Sequence, residues 1–196
     1  PSLFFQFMEK REGEEAVLEG AVHSLRAFGE IVFVILRTRE GIVQGVWEEK
    51  QGPKEGKELR EGDCLRIKGT VRGEERAPAG RELRIREICF LSRAAGPLPL
   101  PVGKWSLHTS LEAKLNMRSL SLRNIRERAK FRIQEGLVRG FREFLYEQGF
   151  TEIHTPKVGA KSAEGGANLF KLEYFHRPAV LQQSPQLYKQ MMVGVF

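Results

Sequence analysis

Between Val22 and Val46 the chain reads VHSLRAFGEIVFVILRTREGIVQGV. The period is two: Phe33, Ile35 and Arg37 fall on one side of an extended segment, and Val32, Val34 and Leu36 on the other, so one side must face a core. Gly29-Glu30 and Glu40-Gly41 are tight connections, which makes the stretch successive strands of a meander. Working outward, AVLEGAVHSL (16–25) supplies the strand entering it, GIVQGVW (41–47) completes its third strand, and DCLRIKGTV (63–71) and ELRIREICFL (82–91) add two more. The charged stretch EEKQGPKEGKELREG (48–62) before the fourth strand reads as a loop or a short helix. Five short strands in fewer than about 80 residues, with Gly20, Gly41 and Gly69 where a small barrel must bend, predict an all-β OB-fold barrel. An SH3-like barrel is the competing topology.

After the fifth strand the composition changes. AAGPLPLPVGKW (94–105) carries three prolines and two glycines and reads as a linker. Beyond it the period becomes helical: Ile125, Ala129, Ile133, Leu137, Phe141, Phe144 and Leu145 recur from about Ser119 to Gln148, with Gly149 as the stop. FTEIHTPKV (150–158) reads as a short strand ending at Pro156, GAKSAEGGANLF (159–170) as a loop, and KLEYF and PAVLQQS as two strands around a turn at His176-Arg177-Pro178. PQLYKQMMVGVF (185–196) opens a helix with Pro185 in its first turn. The domain reading is a barrel over 1–95, a linker or hinge over 96–118 and an α+β segment over 119–196.

Composition excludes several classes. With 196 residues, 41% hydrophobic and 29% charged, the chain is globular and not disordered. No apolar run reaches the roughly 18 to 20 residues of a membrane span, and the opening PSLFFQFMEKREGEE has no leader pattern, so a cytoplasmic protein is expected. Cys64 and Cys89 sit in strand-like segments and read as buried reduced thiols; four scattered histidines predict no metal site. The net charge of +7 is unevenly placed. Residues 1–95 hold 17 basic and 17 acidic side chains, whereas residues 96–196 hold 15 and 8. The segment Arg118–Arg142 alone has eight bases against Glu127 and Glu135, so a polyanion would feel it first, or it is a solvated helix face.

Three constellations bear on chemistry. An OB-fold binds single-stranded nucleic acid by stacking bases on aromatics of its second and third strands, which makes Phe33, Gln44 and Arg26 candidates; taken alone, a phenylalanine such as Phe33 is more often a core residue. The Gly-rich loop at 159–167 lacks the order of a P-loop and precedes a strand, so it is not one. It does carry Glu164, close in sequence to QSPQLYKQ (183–190), where Gln186 and Lys189 share a helix face three residues apart. A carboxylate for an ammonium and an ammonium for a carboxylate suit an acidic amino acid, although both groups also read as ordinary surface charges.

FREFLYEQGFTEIHTPKV resembles motif 1 of the class II aminoacyl-tRNA synthetases, a long helix followed by a strand ending in proline. SAEGGANLF with QSPQLYKQMM is similar to the aspartyl-tRNA synthetases of the shorter archaeal-type branch, and GEIVFVILRTREGIVQGV resembles their anticodon-binding OB domain. The likeness runs from about Leu18 onward. It implies the α+β start of a class II catalytic domain, an antiparallel sheet with a long motif 1 helix, behind the OB barrel. By this resemblance Glu164 receives the α-ammonium of L-aspartate, and Gln186 and Lys189 recognise aspartate, Lys189 through the side-chain carboxylate. Phe33 stacks on the central anticodon base, Gln44 contacts it, and Arg26 supports the anticodon loop. His23 and Pro78 resemble the non-discriminating members, which aspartylate tRNA-Asn as well as tRNA-Asp. Pro156 marks a homodimer interface.

The same resemblance implies ATP and Mg2+, with ligands beyond Phe196, since neither motif 2 nor motif 3 is found. The expectation is therefore a portion of an aspartate–tRNA ligase of roughly twofold greater length, with no catalytic residue within the chain and no adenylation by the chain alone. Ser121 stands where the family usually has an aspartate, which would alter a hinge contact. The alternatives are a non-catalytic tRNA-binding OB module and an asparaginyl-tRNA synthetase relative.

Overall fold

The computed structural model describes residues 2–160 and 169–196. The chain divides into two compact units, one up to Arg132 and one from Ile133.

In the first unit, β1 (Glu15–Phe28), β2 (Ile31–Arg37), β3 (Ile42–Glu48), β4 (Cys64–Gly73) and β5 (Arg81–Ser92) close into a barrel in the order β1-β2-β3-β5-β4. All ladders are antiparallel except β3 with β5, the pairing that closes a five-stranded OB barrel. The alternation seen in the sequence is the one observed. Val34, Leu36, Val43, Leu65, Ile67 and Leu83 are fully buried on the inner face. Closure requires a close approach at Gly69, where a Cβ would lie 1.9 Å from the Arg84 carbonyl oxygen, beside the bulge between Lys68 and Gly69. The charged stretch before β4 forms a 3₁₀ turn, Lys54–Glu58.

Two elements have no counterpart in the reading of the sequence, one at the start of the chain and one, Leu111–Asn116, inside the stretch read as a linker or hinge. Residues Leu3–Glu9 form α1, whose Phe7 is fully buried against the barrel core with Phe4 and Met8 beside it. The i, i+3, i+4 spacing of these three residues was the available signal. Arg81 Nη1 donates to the carbonyls of Met8 and Lys10, both at 2.8 Å, satisfying the end of so short a helix. The two cysteines also differ from expectation: both are free, but Cys64 is half-buried and Cys89 exposed, because Ile88 and Phe90 take the inward positions flanking Cys89.

The linker packs on the barrel. Leu100, Val102 and Leu107 are buried, and a Cβ at Gly103 would sit 2.4 Å from the His23 carbonyl oxygen, so no side chain fits there. α2 (Leu111–Asn116) and α3 (Arg118–Ser121) follow, then α4 (Ile125–Glu147). Ser121 is fully buried and its Oγ donates to the Lys114 carbonyl at 2.8 Å, joining α3 to α2. Asn124, also fully buried, does two things at once. Its Nδ2 donates to the carbonyls of Val102 (3.0 Å) and Lys104 (2.6 Å), while its Oδ1 caps α4 by accepting from the backbone N–H of Arg126 at 3.1 Å. Glu127 receives Lys130 Nζ at 2.7 Å and Lys114 Nζ at 3.1 Å, and these bonds, Lys130's first, hold its carboxyl below the usual range.

In the second unit α4 continues to Glu147, and Gly149 follows with φ +80°. The sheet is β6 (Val158–Gly159), β8 (Arg177–Leu181) and β7 (Phe170–Tyr174), then α5 (Gln186–Val193). Two expectations are corrected. Residues 151–156 form no strand, because their backbone pairs with no neighbour among the described residues, and only Val158–Gly159 joins the ladder, opposite Val180 and Leu181. The β7–β8 turn is Phe175-His176, at φ 44° and 61°, one residue earlier than expected; Arg177 already pairs with Tyr174. No helix among the described residues is long and apolar enough to cross a membrane.

The Asn124 arrangement makes a direct prediction. Asn124→Ala removes a helix cap and orphans two buried carbonyls, and should destabilise the first unit by about 3 kcal/mol in urea titrations followed by tryptophan fluorescence. Asn124→Asp, which keeps the cap but not the donors, should lose roughly half of that.

Candidate nucleic-acid interface

The outer faces of β1, β2 and β3 form the site. Register places Arg26 opposite Phe33 on the β1–β2 ladder and Gln44 opposite Ile35 on β2–β3, so alternation sends all three out of the core together. Phe33 and Gln44 are half-buried and Arg26 is exposed. Gln44 is held in place: its Nε2 donates to Glu82 Oε2 at 2.9 Å, and Glu82 is itself buried. That leaves the amide oxygen as an acceptor for a ligand.

Two grooves adjoin here. The first, of about 570 Å³, is lined by Phe28, Phe33, Gln44 and Arg84 with Glu48 and Glu82. Arg84 Nη1 stands 3.6 Å from Glu48, so its charges are largely balanced and its aromatic rings dominate. Phe28, 79% exposed at the end of β1, was not singled out from the sequence; an aromatic directly before a tight Gly turn was its only mark. The second groove, about 440 Å³, shares Arg26 and Gln44 with the first and adds His23, Pro78 and the linker. Pro78 lies exposed in the β4–β5 loop.

His23 lies inside the first strand, in the stretch 16–25 read as strand from the sequence. It is the extra residue of a bulge between Val22 and Ser24. It is 3% exposed, and neither Nδ1 nor Nε2 has a partner among the described residues. Burial, then the charges of Arg37 and Arg128, lower its pKa from 6.5 to about 4, so the ring is neutral at physiological pH.

The residues expected to take an amino acid are described only in part. Gln186 and Lys189 lie in the first turns of α5, both exposed, with Lys189 Nζ donating to Ser184 Oγ at 2.9 Å. Glu164 lies outside the described residues. Pro156 is exposed in the segment after α4, where Arg142 Nη2 (3.0 Å) and the Tyr146 hydroxyl (2.9 Å) bind Glu152.

Residues 16–89 match the OB-fold nucleic acid binding domain, and residues 110–196 match tRNA synthetases class II (D, K and N). In this order along the chain stand a segment similar to an OB-fold nucleic acid binding domain and a segment similar to the class II tRNA synthetases (D, K and N). The chain is 42% identical over 187 residues to an aspartate–tRNA(Asp/Asn) ligase of Archaeoglobus fulgidus, covering 93% of itself and 43% of that protein. It is 44% identical over 190 residues to the protein of the same name in Methanopyrus kandleri, covering 94% and 44%. Among solved structures, asparaginyl-tRNA synthetase from Pyrococcus horikoshii complexed with asparaginyl-adenylate superposes with a TM-score of 0.78 at 31% identity, over 93% of this chain and 42% of that one. The chain thus spans less than half the length of the relatives it matches.

A folded-state His23 pKa below the unfolded value means that the unfolded chain binds the extra proton first. Stability is therefore full above about pH 6.5 and falls as pH drops toward 4, by up to about 3 kcal/mol. Thermal melts of the first unit from pH 7 to 4 should show this slope, and His23→Gln should flatten it.

Proposed function

We propose that the chain is the N-terminal part of an aspartate–tRNA ligase, in which the barrel over 1–95 binds the anticodon loop, 96–118 is the hinge, and 119–196 begins the catalytic domain. The observation that carries this reading is the convergence of Arg26, Phe33 and Gln44 on one outer face of the barrel, in a chain whose curated relatives bear that name. In the intact enzyme Phe33 stacks on the central anticodon base, Gln44 offers its free amide oxygen to that base, and Arg26 takes the neighbouring phosphate. His23 and Pro78, at the adjoining groove, extend the reading to tRNA-Asn as well as tRNA-Asp.

On the catalytic side, Glu164 takes the α-ammonium of L-aspartate, and Gln186 with Lys189 takes its carboxylate side chain. A desolvated ammonium favours a carboxylate over a neutral amide, which makes Lys189 the residue that rejects asparagine. ATP with Mg2+ supplies the activation of the carboxylate in the whole enzyme. No group of three or more His, Cys, Asp or Glu suited to a metal occurs among the described residues. The exposed apolar side of α4, with Leu137, Phe141 and Phe144 each more than half exposed, supports a homodimer built on α4 and Pro156 in the cytoplasm.

An asparaginyl relative is the second reading, favoured by the solved neighbour but at lower identity than the aspartate ligases. Pyrophosphate exchange by the intact enzyme separates the two: aspartate should activate at least about a hundredfold better than asparagine, and Lys189→Met should abolish that preference. Equal or better activation of asparagine would overturn the aspartate assignment. Charging assays with both tRNAs should give aspartyl-tRNA from each, and acceptance of tRNA-Asp alone would remove the roles given to His23 and Pro78.

A further inference from the structure

The second groove has a charge pattern that the anticodon reading does not use. Four cations line it, Arg26, Arg76, Lys104 and Arg128, and no carboxylate does. The aromatic groove beside it sets Arg26, Arg72, Arg76 and Arg84 against Glu48, Glu74 and Glu82. Arg37, close enough to His23 to act on its charge, adds to the imbalance. The buried Nε of Arg37 has no hydrogen-bond partner, nor has either nitrogen of His23, and Arg123 and Arg128 oppose the charge already on Arg37. Arg128 is half-buried while Arg26, Arg76 and Lys104 are exposed, and a carboxylate on the Lys104 side, Glu61, lines a separate groove with Arg26, Lys104 and Trp105. Like charges gathered in this way favour an arriving anion. The wall facing the barrel comes from elsewhere in the chain. Gly103 lies against the His23 carbonyl, Asn124 fixes the Lys104 backbone and starts α4, and Arg128 projects from that helix one turn on. Trp105 is 73% exposed, with the Arg126 guanidinium 5.9 Å from its ring centroid.

We propose that Lys104 and Arg128 form a phosphate subsite for single-stranded RNA, with Trp105 as a stacking surface at its rim, so that the linker and the start of α4 bind the same loop as the barrel. The subsite rests on the tRNA reading above. A nucleic-acid backbone fits better than a free anion because Arg26, Gln44 and Arg76 are common to both grooves, which makes them one continuous path, aromatic at one end and cationic at the other.

The test uses the intact protein and a fluorescent RNA stem-loop carrying the tRNA-Asp anticodon loop, with anisotropy titrations over a range of KCl. The double variant Lys104→Gln/Arg128→Gln should bind about tenfold more weakly, and its slope of log affinity against log salt should be shallower by about 1.4, the loss of two single-strand phosphate contacts. A loop with altered anticodon bases should lose the same factor, since a phosphate contact carries no sequence. Lys104→Arg/Arg128→Lys should keep the wild-type slope, which separates charge from fold. Wild-type affinity and slope in the Gln variant, with Phe33→Ala weakened, would overturn the subsite and leave the anticodon reading standing. Weakening by the Gln variant with Phe33→Ala unaffected would do the reverse, and no effect from either would remove both.

Discussion

A closed five-stranded barrel gives each strand one face for the core and one for everything else, and this constraint places nearly every candidate residue of the first unit. Once Val34, Leu36 and Val43 are committed to the interior, Phe33 and Gln44 have no choice of side, and the register with β1 brings Arg26 alongside. A slip of one residue in β2 would bury Arg37 and expose Leu36, at a cost of several kcal/mol in lost apolar burial and an unpaired charge. The binding face therefore follows from the core.

What the alternation could not reveal is how the outer face is covered. Ile35 points outward by its position in β2, yet it is 6% exposed. It lines the groove that the linker and α4 help to form, and nothing in the period of β2 anticipates them. His23 was noticeable by type, but its burial depends on a bulge that lets one extra residue into β1, and bulges leave no reliable mark in a sequence. Asn124 was invisible for a related reason. As a helix cap it resembles many others, and only the linker carbonyls within reach of its Nδ2 show that the same side chain also ties 102–104 to the helix. Local periodicity recovers strands and helices; contacts between segments twenty residues apart are set by shape.

The second unit shows the opposite balance. Its helix and both hairpin strands were legible from period and composition, and the early stop at Gly149 follows from its positive φ. Packing was not legible, because few of its described side chains have anything to pack against: among the described residues only Ala179 and Val180 are buried there, while Phe141, Phe144, Phe150 and Phe170 are each at least 59% exposed. An apolar stripe specifies that a helix must be covered and says nothing about by what. The misplaced strand at 151–156 has the same origin, since a β-propensity is realised only when a neighbour offers the other half of the ladder.

Charge ties the two halves of the first unit together. The barrel sequence is neutral overall and the excess of bases lies after it, so the linker and α4 supply Lys104 and Arg128 to a groove that the barrel could not make so basic alone. A long-range field of this kind would draw RNA in without regard to sequence, while the aromatic groove, where three carboxylates stand among four arginines, would on the proposed reading discriminate at contact. Separating attraction from discrimination across two surfaces avoids a conflict within one: a groove cationic enough to recruit any phosphate backbone would hold wrong loops nearly as well as right ones, and Glu82, by fixing Gln44 and offsetting its arginines, keeps the reading surface from becoming such a groove.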